Sequence, residues 1–212
     1  MDSKNNVVTD IIIILDKSAS MSIMGKEPIQ SVNVFIENLN IQSDEKGTFT
    51  FVVFNNNIDI VIDKVPLISV TKIDESIYVP CGGTALNDGI CTTINNTLTS
   101  NKPNGKVVVI ITDGYENSSS KYSTKETRIL IKNCQDNHDW KFIFLGAIID
   151  AFSEGESISI GAKQCGQFFQ ESPGNLTKLC RETSNNILNF CRFRSEGSIH
   201  VPDLVVGENT TL

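Results

Sequence analysis

The chain has 212 residues, of which 40% are hydrophobic and 20% are charged, and these values are typical of a single soluble domain with its own core. Its net charge of −7 argues against nucleic acid as a partner, because phosphate binding depends on clustered Lys and Arg. The opening residues lack a secretory signal, and the apolar run Ile11–Leu15 is too short to cross a bilayer, so we expect a cytoplasmic protein without a membrane partner.

Strand and helix patterns alternate in the first half of the chain. Ile11–Leu15 is an aliphatic run of the kind that forms a strand buried on both faces. From Pro28 onward, apolar residues recur at helical spacing. The β-rich runs Thr48–Phe54 and Ile58–Ile62 are separated by three Asn residues, which predicts a hairpin. Residues 63–80 carry mixed signals and allow no assignment.

The same alternation continues in the second half of the chain. Helices are predicted from recurring apolar residues, and strands from short aliphatic or aromatic runs. The predicted elements are a helix from Thr84, a turn at 103–105, a strand Val107–Ile111, a helix capped by Thr124, a strand Trp140–Gly146, a short helix near Phe152–Ile160, a last strand Gln167–Gln170 and a closing helix Asn175–Arg192.

Strands that alternate with amphipathic helices predict an α/β fold. We expect a three-layer α-β-α sandwich, with a doubly wound, mostly parallel sheet and one antiparallel edge strand. Residues 1–194 are predicted to form one domain, and 195–212 a polar, loosely held tail. In such folds, ligands bind beyond the carboxyl ends of the strands, so functional residues are expected there.

The six cysteines are scattered singly and include no C-x-x-C pair. In a reducing compartment, the pattern predicts six free thiols, most of them buried as small hydrophobic side chains. They are Cys81, Cys91, Cys134, Cys165, Cys180 and Cys191.

Polar side chains follow two of the aliphatic strands and open one of the helices. Asp16, Ser18 and Ser20 come after the first strand, Asp113 follows the strand at 107–111, and Thr84 stands behind two glycines. Each pattern alone is common in turns and caps, but the three together are more specific. If both strands are central, the three loops meet at one edge of the sheet. Two carboxylates and three hydroxyls suit a hard cation such as Mg²⁺.

At these residues the sequence resembles the von Willebrand factor A family. The five side chains match its metal-ion-dependent adhesion site, and the segments Gly-Gly-Thr-Ala-Leu and Ile-Thr-Asp-Gly-Tyr-Glu-Asn are similar to small stand-alone members found in bacteria, phages and large viruses. The resemblance covers residues 8 to 194. It implies that the hydroxyls and the Asp side chains hold one cation, directly or through water. It also implies that a Glu or Asp of a partner protein completes the coordination. We expect Mg²⁺, while Mn²⁺ and Ca²⁺ stay open.

Four further residues lie beside this set in sequence. Gly83 lets the backbone pass close to the ion, and Asp88 lies one turn into the helix behind it. Glu116 and Asn117 follow Asp113 closely and could contact a ligand or a water next to the metal. The alternatives are a solvent-facing helix residue for Asp88 and solvated loop residues for Glu116 and Asn117.

The residues and the resemblance together predict a cation-dependent protein-binding module without enzymatic activity, monomeric or weakly oligomeric. If the protein is viral, the expected location is the virion or the host cytoplasm. One alternative is a phosphohydrolase of haloacid-dehalogenase type, in which an Asp after a strand is the nucleophile. That chemistry needs a second Asp two residues later, where this chain has Ser18, and the two His residues, His138 and His200, are expected on the surface. A structural or assembly scaffold is the other alternative.

Overall fold

The computed structural model describes residues 8–42, 47–98, 105–147, 151–198, 201 and 203–206. Within these ranges, strands and helices alternate as the sequence predicts. The strands are β1 (Thr9–Asp16), β2 (Thr48–Phe54), β3 (Ile58–Pro66), β4 (Gly105–Thr112), β5 (Trp140–Gly146) and β6 (Cys165–Gln167). The helices are α1 (Glu27–Gln42), α2 (Leu86–Leu98), α3 (Thr124–Asn137), α4 (Ala151–Ser157) and α5 (Asn175–Ser195).

The six strands form one sheet in the order β3-β2-β1-β4-β5-β6. Every neighbouring pair is parallel except β2 and β3, so the antiparallel strand lies at an edge. This confirms the predicted doubly wound α/β fold. The chain builds one side of the sheet from β1 and the other from β4, so the carboxyl ends of β1 and β4 are neighbours at the point where the strand order reverses. Parallel sheets bind their ligands at such a point.

Two apolar cores cover the two faces of the sheet, because successive strand side chains point to opposite faces. In β1, Ile11 and Ile13 pack toward α1 and α5, while Ile12 and Ile14 pack toward α2, α3 and α4. All four side chains are buried. The double burial explains why β1 and β4 read as uninterrupted aliphatic runs.

Two predicted element boundaries are wrong by a few residues. The N-cap of α3 is Ser123 rather than Thr124, because Ser123 and Glu126 form a reciprocal capping box. The last strand is Cys165–Gln167 rather than Gln167–Gln170, because it pairs with β5, which ends at Gly146 opposite Gln167. Phe168 still donates its N–H to the Gly146 carbonyl at 3.0 Å, and residues 169–170 then continue as a loop.

The unassigned stretch 63–80 is an extended strand end followed by two short 3₁₀ turns. Strand β3 runs on to Pro66, since Pro66 lies opposite Thr48 at the start of β2. The turns that follow are Leu67–Ser69 and Glu75–Ile77. Competing strand and helix signals reflect these short elements.

Part of the tail packs against the domain, unlike the loosely held tail that we expected. Helix α5 continues to Ser195, and Leu204 is buried. Gln164 donates its side-chain amide to the Leu204 carbonyl at 2.8 Å, and the Val206 N–H donates to the Lys163 carbonyl at 2.9 Å. Residues 207–212, and positions 103 and 104 of the predicted turn, lie outside the described residues. The domain boundary at 194 stays a prediction.

All six cysteines are free thiols and five of them are buried, as predicted; Cys81 is exposed. Burial raises the pKa of the Cys91, Cys134 and Cys165 thiols to about 11, so they stay protonated at neutral pH. Within the described ranges, no helix has the length and apolar character that crossing a membrane requires.

Candidate metal centre

Asp16 ends β1 and is fully buried between two hydrogen-bond donors. Its Oδ1 accepts the backbone N–H of Ser18 at 2.6 Å, and its Oδ2 accepts the hydroxyl of Thr112, the last residue of β4, at 2.6 Å. Tyr78 donates its hydroxyl to the carbonyl oxygen of Asp16 at 2.7 Å. These contacts fix the carboxylate at the boundary between the two central strands.

Ser18, Ser20 and Asp113 bring further oxygen atoms to the same place. The two serine Oγ atoms are 3.2 Å apart, and the Ser20 hydroxyl donates to Asp113 Oδ1 at 2.7 Å. Neighbouring oxygen ligands of an octahedral Mg²⁺, each bound at about 2.0–2.1 Å, lie about 3 Å apart. The observed separations therefore match those around a shared cation.

Thr84 reaches the site from the loop before α2. The Ala19 N–H donates to the Gly82 carbonyl at 3.0 Å, which ties this loop to the turn after β1. A carbon atom built as a side chain on Gly114 would lie 3.2 Å from Thr84 Oγ1 and 3.7 Å from Ser20 Oγ. Gly114 therefore lies close to both hydroxyls, and its lack of a side chain leaves space next to them. The structure thus gathers all five predicted residues, which we name the oxygen cup: Asp16, Ser18, Ser20, Thr84 and Asp113.

The oxygen cup has two buried carboxylates, and no cationic side chain in the described part of the chain binds them. Among the described residues, Asp16 and Asp113 accept hydrogen bonds from hydroxyl, amide and backbone donors only. Lys17 turns away and pairs with Asp59 at 3.0 Å. Burial consequently raises the pKa of Asp16 to about 6 and holds the pKa of Asp113 above its ordinary value. An all-oxygen set with uncompensated negative charge fits a hard divalent cation.

Comparison with known proteins agrees with this geometry. A family profile described as the von Willebrand factor type A domain matches residues 10–181. The chain belongs to this family. Among proteins with curated descriptions, none matches the chain.

Solved structures of similar fold come from different organisms. Proximal thread matrix protein 1 from the mussel byssus has 21% identity and a TM-score of 0.63, over 83% of this chain and 47% of that chain. A von Willebrand factor type A protein from Catenulispora acidiphila has 14% identity and a TM-score of 0.65, over 86% and 43%. The D319A mutant of the PilB minor pilin from Streptococcus sanguinis has 13% identity and a TM-score of 0.65, over 93% and 65%. These likenesses show the fold, and this chain spans less than half the length of the first two. A further mussel structure, with 20% identity and a TM-score of 0.59 over 84% and 48%, has a zinc-occupied MIDAS motif.

In this type A domain, the loop 116–122 fixes the backbone of Thr84 by hydrogen bonds. Asn117 donates its N–H to the Thr84 carbonyl at 3.1 Å and accepts the Thr84 N–H on Oδ1 at 2.9 Å. Glu116 accepts the N–H of Asn87, in the first turn of α2, at 2.8 Å, together with two N–H groups of its own loop. Neither residue is simply solvated, because both side chains bind backbone groups that position the oxygen cup.

Asp88 fixes the other end of this loop and is buried rather than solvent-facing. Its carboxylate accepts three consecutive backbone N–H groups, from Ser120 at 2.9 Å, Lys121 at 3.0 Å and Tyr122 at 2.9 Å. Asp88 is therefore a structural anchor, which clamps the loop onto α2.

Gly83 is required by the close approach of this loop. A side-chain carbon at position 83 would lie 2.0 Å from Ser118 Oγ and 3.0 Å from Asn117 Oδ1. On the other side, the Gly83 N–H donates to Asn56 Oδ1 at 2.7 Å. Gly83 thus sets the path of the backbone before Thr84 by leaving room for its neighbours.

The sequence did not reveal three residues that bind the oxygen cup. Thr112 could have been found from the register, since β1 and β4 are parallel and Asp16 ends beside it. Tyr78 lies in the stretch without a clear pattern. Gln170, which was assigned to a strand, lies in the loop after β6 and donates its amide to Asp113 Oδ2.

Gln170 is expected to set the pH range over which the oxygen cup binds a cation. A donor to the charged carboxylate lowers its pKa, so Gln170→Leu should raise the pKa of Asp113 further. Protons compete with the cation for Asp113, and the loss of Mg²⁺ affinity on acidification should therefore begin at a higher pH in the variant. Mg²⁺ titration by calorimetry across a pH series measures this shift. Gln164→Leu, at the amino end of β6, is the control, and equal pH profiles for both variants would contradict the role of Gln170.

His138 does not supply a catalytic base to the oxygen cup. His138 caps the end of α3 and is exposed. It lies next to the amino end of β5, whereas the oxygen cup lies at the carboxyl ends of the strands. His200 lies outside the described residues. In the described ranges no three His, Cys, Asp or Glu side chains gather as a possible metal site, so hydroxyl groups must supply part of any ligand set.

Proposed function

We propose that this type A domain is a divalent-cation-dependent protein-binding module. The oxygen cup would hold one cation, with Mg²⁺ as the first candidate, and an acidic side chain of a partner protein would complete the coordination. The observation that carries the proposal is the pair of buried carboxylates, Asp16 and Asp113. They bind hydroxyl groups, and no Lys or Arg among the residues that the structure describes pairs with them.

The chemistry of the cup favours an acidic partner group. Serine and threonine hydroxyls are neutral ligands, so two carboxylates at most balance the charge of a divalent cation. Such a cation supplies a strong point charge and a coordination position for a further oxygen ligand. Gly114 lies next to the hydroxyls of Ser20 and Thr84, and we propose that a partner carboxylate oxygen enters here.

The mussel byssus protein supports a metal in this motif, since its MIDAS motif is occupied by zinc. The ligand set of the oxygen cup is all oxygen, and carboxylate, hydroxyl and water ligands suit Mg²⁺, Ca²⁺ and Mn²⁺ better than Zn²⁺, which prefers nitrogen and sulfur. We therefore place Mg²⁺ first, with Mn²⁺ and Ca²⁺ as alternatives.

A binding role is favoured over the two alternatives. Haloacid-dehalogenase chemistry needs a second Asp where Ser18 stands, and His138 lies next to the amino end of β5. A scaffold that does not use the metal would gain nothing from two buried carboxylates, whose charged forms burial disfavours. The proposed module is therefore not an enzyme.

Affinity capture tests cation bridging directly. We expect partners of the wild-type protein in Mg²⁺ to be lost both in EDTA and with Asp113→Asn, because each treatment removes the bridging cation. Asp136→Asn removes an exposed carboxylate of α3 and should retain the same partners. Identical capture in all of these conditions would rule out the bridging mechanism.

We also propose that the protein works as a monomer or weak oligomer in a reducing compartment such as the cytoplasm. The free state of all six thiols supports this location. The negative net charge supports the expectation that nucleic acid is not a partner.

A further inference from the structure

Four large apolar side chains are exposed in segments that reach the oxygen cup. Ile23 is 66% exposed, Val79 64%, Tyr115 54% and Phe169 55%. Exposed apolar patches on soluble proteins mark interaction sites, because leaving such area in water is unfavourable. We name these four residues the apolar rim.

Two members of the apolar rim flank the cup on the side of β1. Ile23 lies in the 3₁₀ turn Ala19–Met24, which also carries Ser20. Val79 follows Tyr78, whose hydroxyl binds the carbonyl oxygen at the end of β1. Both apolar residues therefore belong to short segments that also bind or form part of the cup.

The other two members flank Asp113. Tyr115 is two residues beyond Asp113, directly after the glycine that lies next to the hydroxyls of the cup. Phe169 directly precedes Gln170, whose amide binds Asp113 Oδ2. The cup is thus flanked by aliphatic side chains from one pair of segments and by aromatic side chains from the other.

Two of the lysines near the cup are paired with carboxylates, while Lys121 in the loop 116–122 is exposed. Lys17 pairs with Asp59 at 3.0 Å, and Lys26 pairs with Glu75 at 3.8 Å. Glu171, next to Gln170, is exposed. A run of acidic residues in a partner would meet this carboxylate and the overall charge of −7, and would be repelled. The oxygen cup offers a place for one partner carboxylate.

We propose that the partner presents one Asp or Glu flanked on both sides by large apolar residues, and that Ile23, Val79, Tyr115 and Phe169 bind those flanking side chains. This inference rests on the proposed function, since the oxygen cup would bind the carboxylate. The inference specifies the class of partner: an apolar segment with a single acidic residue, and not a polyacidic segment.

A displayed library of random peptides, bound in Mg²⁺ and eluted with EDTA, tests both proposals separately. We expect enriched peptides to share one acidic residue with large apolar residues on each side. Enriched acidic peptides without an apolar preference would overturn the partner class and leave the cation bridge standing. Failure to enrich any EDTA-eluted peptide with an acidic residue would overturn the cation bridge itself.

Matched synthetic peptides then test the apolar rim. One peptide has a central Glu between Phe and Ile residues, the second has the same Glu between Ser and Gln residues, and the third has Gln in place of Glu. The double variant Tyr115→Ser, Phe169→Ser should bind the first peptide about tenfold more weakly than the wild type does, which is the usual effect of losing a well-packed aromatic contact. Its affinity for the second peptide should equal that of the wild type.

Two controls separate the rim from the fold and the metal. Ile68→Ser removes an apolar side chain that is 77% exposed, more than any member of the apolar rim. Ile68 lies in the turn after β3, at the end of the sheet where β2 begins and away from the oxygen cup. This variant should bind all three peptides as the wild type does. Mg²⁺ affinity, measured without peptide, should be equal in wild type and in the double variant. Equal affinity of the double variant and wild type for the first peptide would overturn the role of the aromatic pair.

Discussion

Replacing Asp16 with Asn is expected to stabilise the metal-free protein at neutral pH and to remove its response to Mg²⁺. Burial raises the pKa of Asp16 from 3.8 to about 6, and this effect outweighs the hydrogen bonds from Thr112 and Ser18. A difference of this size corresponds to about 3 kcal/mol of folding free energy. Asn can keep both contacts, since Thr112 can accept from the amide and turn its own hydroxyl toward the Gly114 carbonyl at 3.3 Å.

The sign of the pH dependence follows from the direction of the shift. Between pH 3.8 and about 6 the folded state holds a proton on Asp16 that the unfolded state has released. The contribution of Asp16 to the stability of the wild type in EDTA should therefore fall as pH rises through this window, and Asp16→Asn should lack that fall. At neutral pH, Mg²⁺ at a hundredfold excess over its dissociation constant should stabilise the wild type by about 2.7 kcal/mol.

Urea unfolding in EDTA and in Mg²⁺, at acidic and neutral pH, measures both effects. Asp136→Asn, which removes an exposed carboxylate on α3, should behave as the wild type does in Mg²⁺. The account of the oxygen cup would be wrong if Asp16→Asn kept the Mg²⁺ response. It would also be wrong if the variant were less stable than the wild type in EDTA at neutral pH.

Removing the carboxylate of Asp88 is expected to weaken both the fold and the metal site. Asp88→Ala takes the acceptor from the N–H groups of Ser120, Lys121 and Tyr122. Backbone donors that lose a charged acceptor in a partly buried loop should cost about 2–3 kcal/mol in total, because water can reach part of this loop. The loop also carries Asn117, which holds Thr84, so Mg²⁺ affinity should fall about tenfold, as for other residues that orient metal ligands.

Urea unfolding and Mg²⁺ titration of the same variant separate the two consequences. Asp74→Ala is the matched control, because Asp74 also accepts a backbone N–H, from Ser76, but caps a short turn outside the oxygen cup. Its Mg²⁺ affinity should equal that of the wild type. Asp88→Asn keeps one acceptor oxygen and should fall between wild type and Asp88→Ala. A loss of stability without any loss of Mg²⁺ affinity would show that the loop does not position Thr84.

The sequence alone determined most of the fold and the five residues of the oxygen cup. A strand buried on both faces must be aliphatic throughout, so Ile11–Leu15 could be read as a central strand. The recurring apolar residues of α2 and α5 predicted their buried faces, because a helix packs one side against the sheet. The cup residues lie at or just after the ends of β1 and β4, or just before α2. Local patterns therefore placed them at the same edge of the sheet.

The tertiary structure alone decided how the oxygen cup is supported. Tyr78 lies in a segment without a repeating pattern, and Gln170 in one whose pattern predicts a strand. Each reaches the cup only because distant elements pack together. Glu116, Asn117 and Asp88 read equally well as solvated residues in the sequence. Their side chains bind backbone groups about 30 residues away, and a partner at that distance is chosen by strand order and helix packing.

The same physical reason accounts for the misplaced last strand. Residues 167–170 have strand-forming character, but a strand ends where its neighbour stops offering hydrogen bonds, and β5 stops at Gly146. The released loop is what brings Gln170 to Asp113 and exposes Phe169. Local composition thus specified which segments are buried, and which of them are followed by side chains that can bind a cation. The register between strands, which no local pattern encodes, decided which side chains surround that cation.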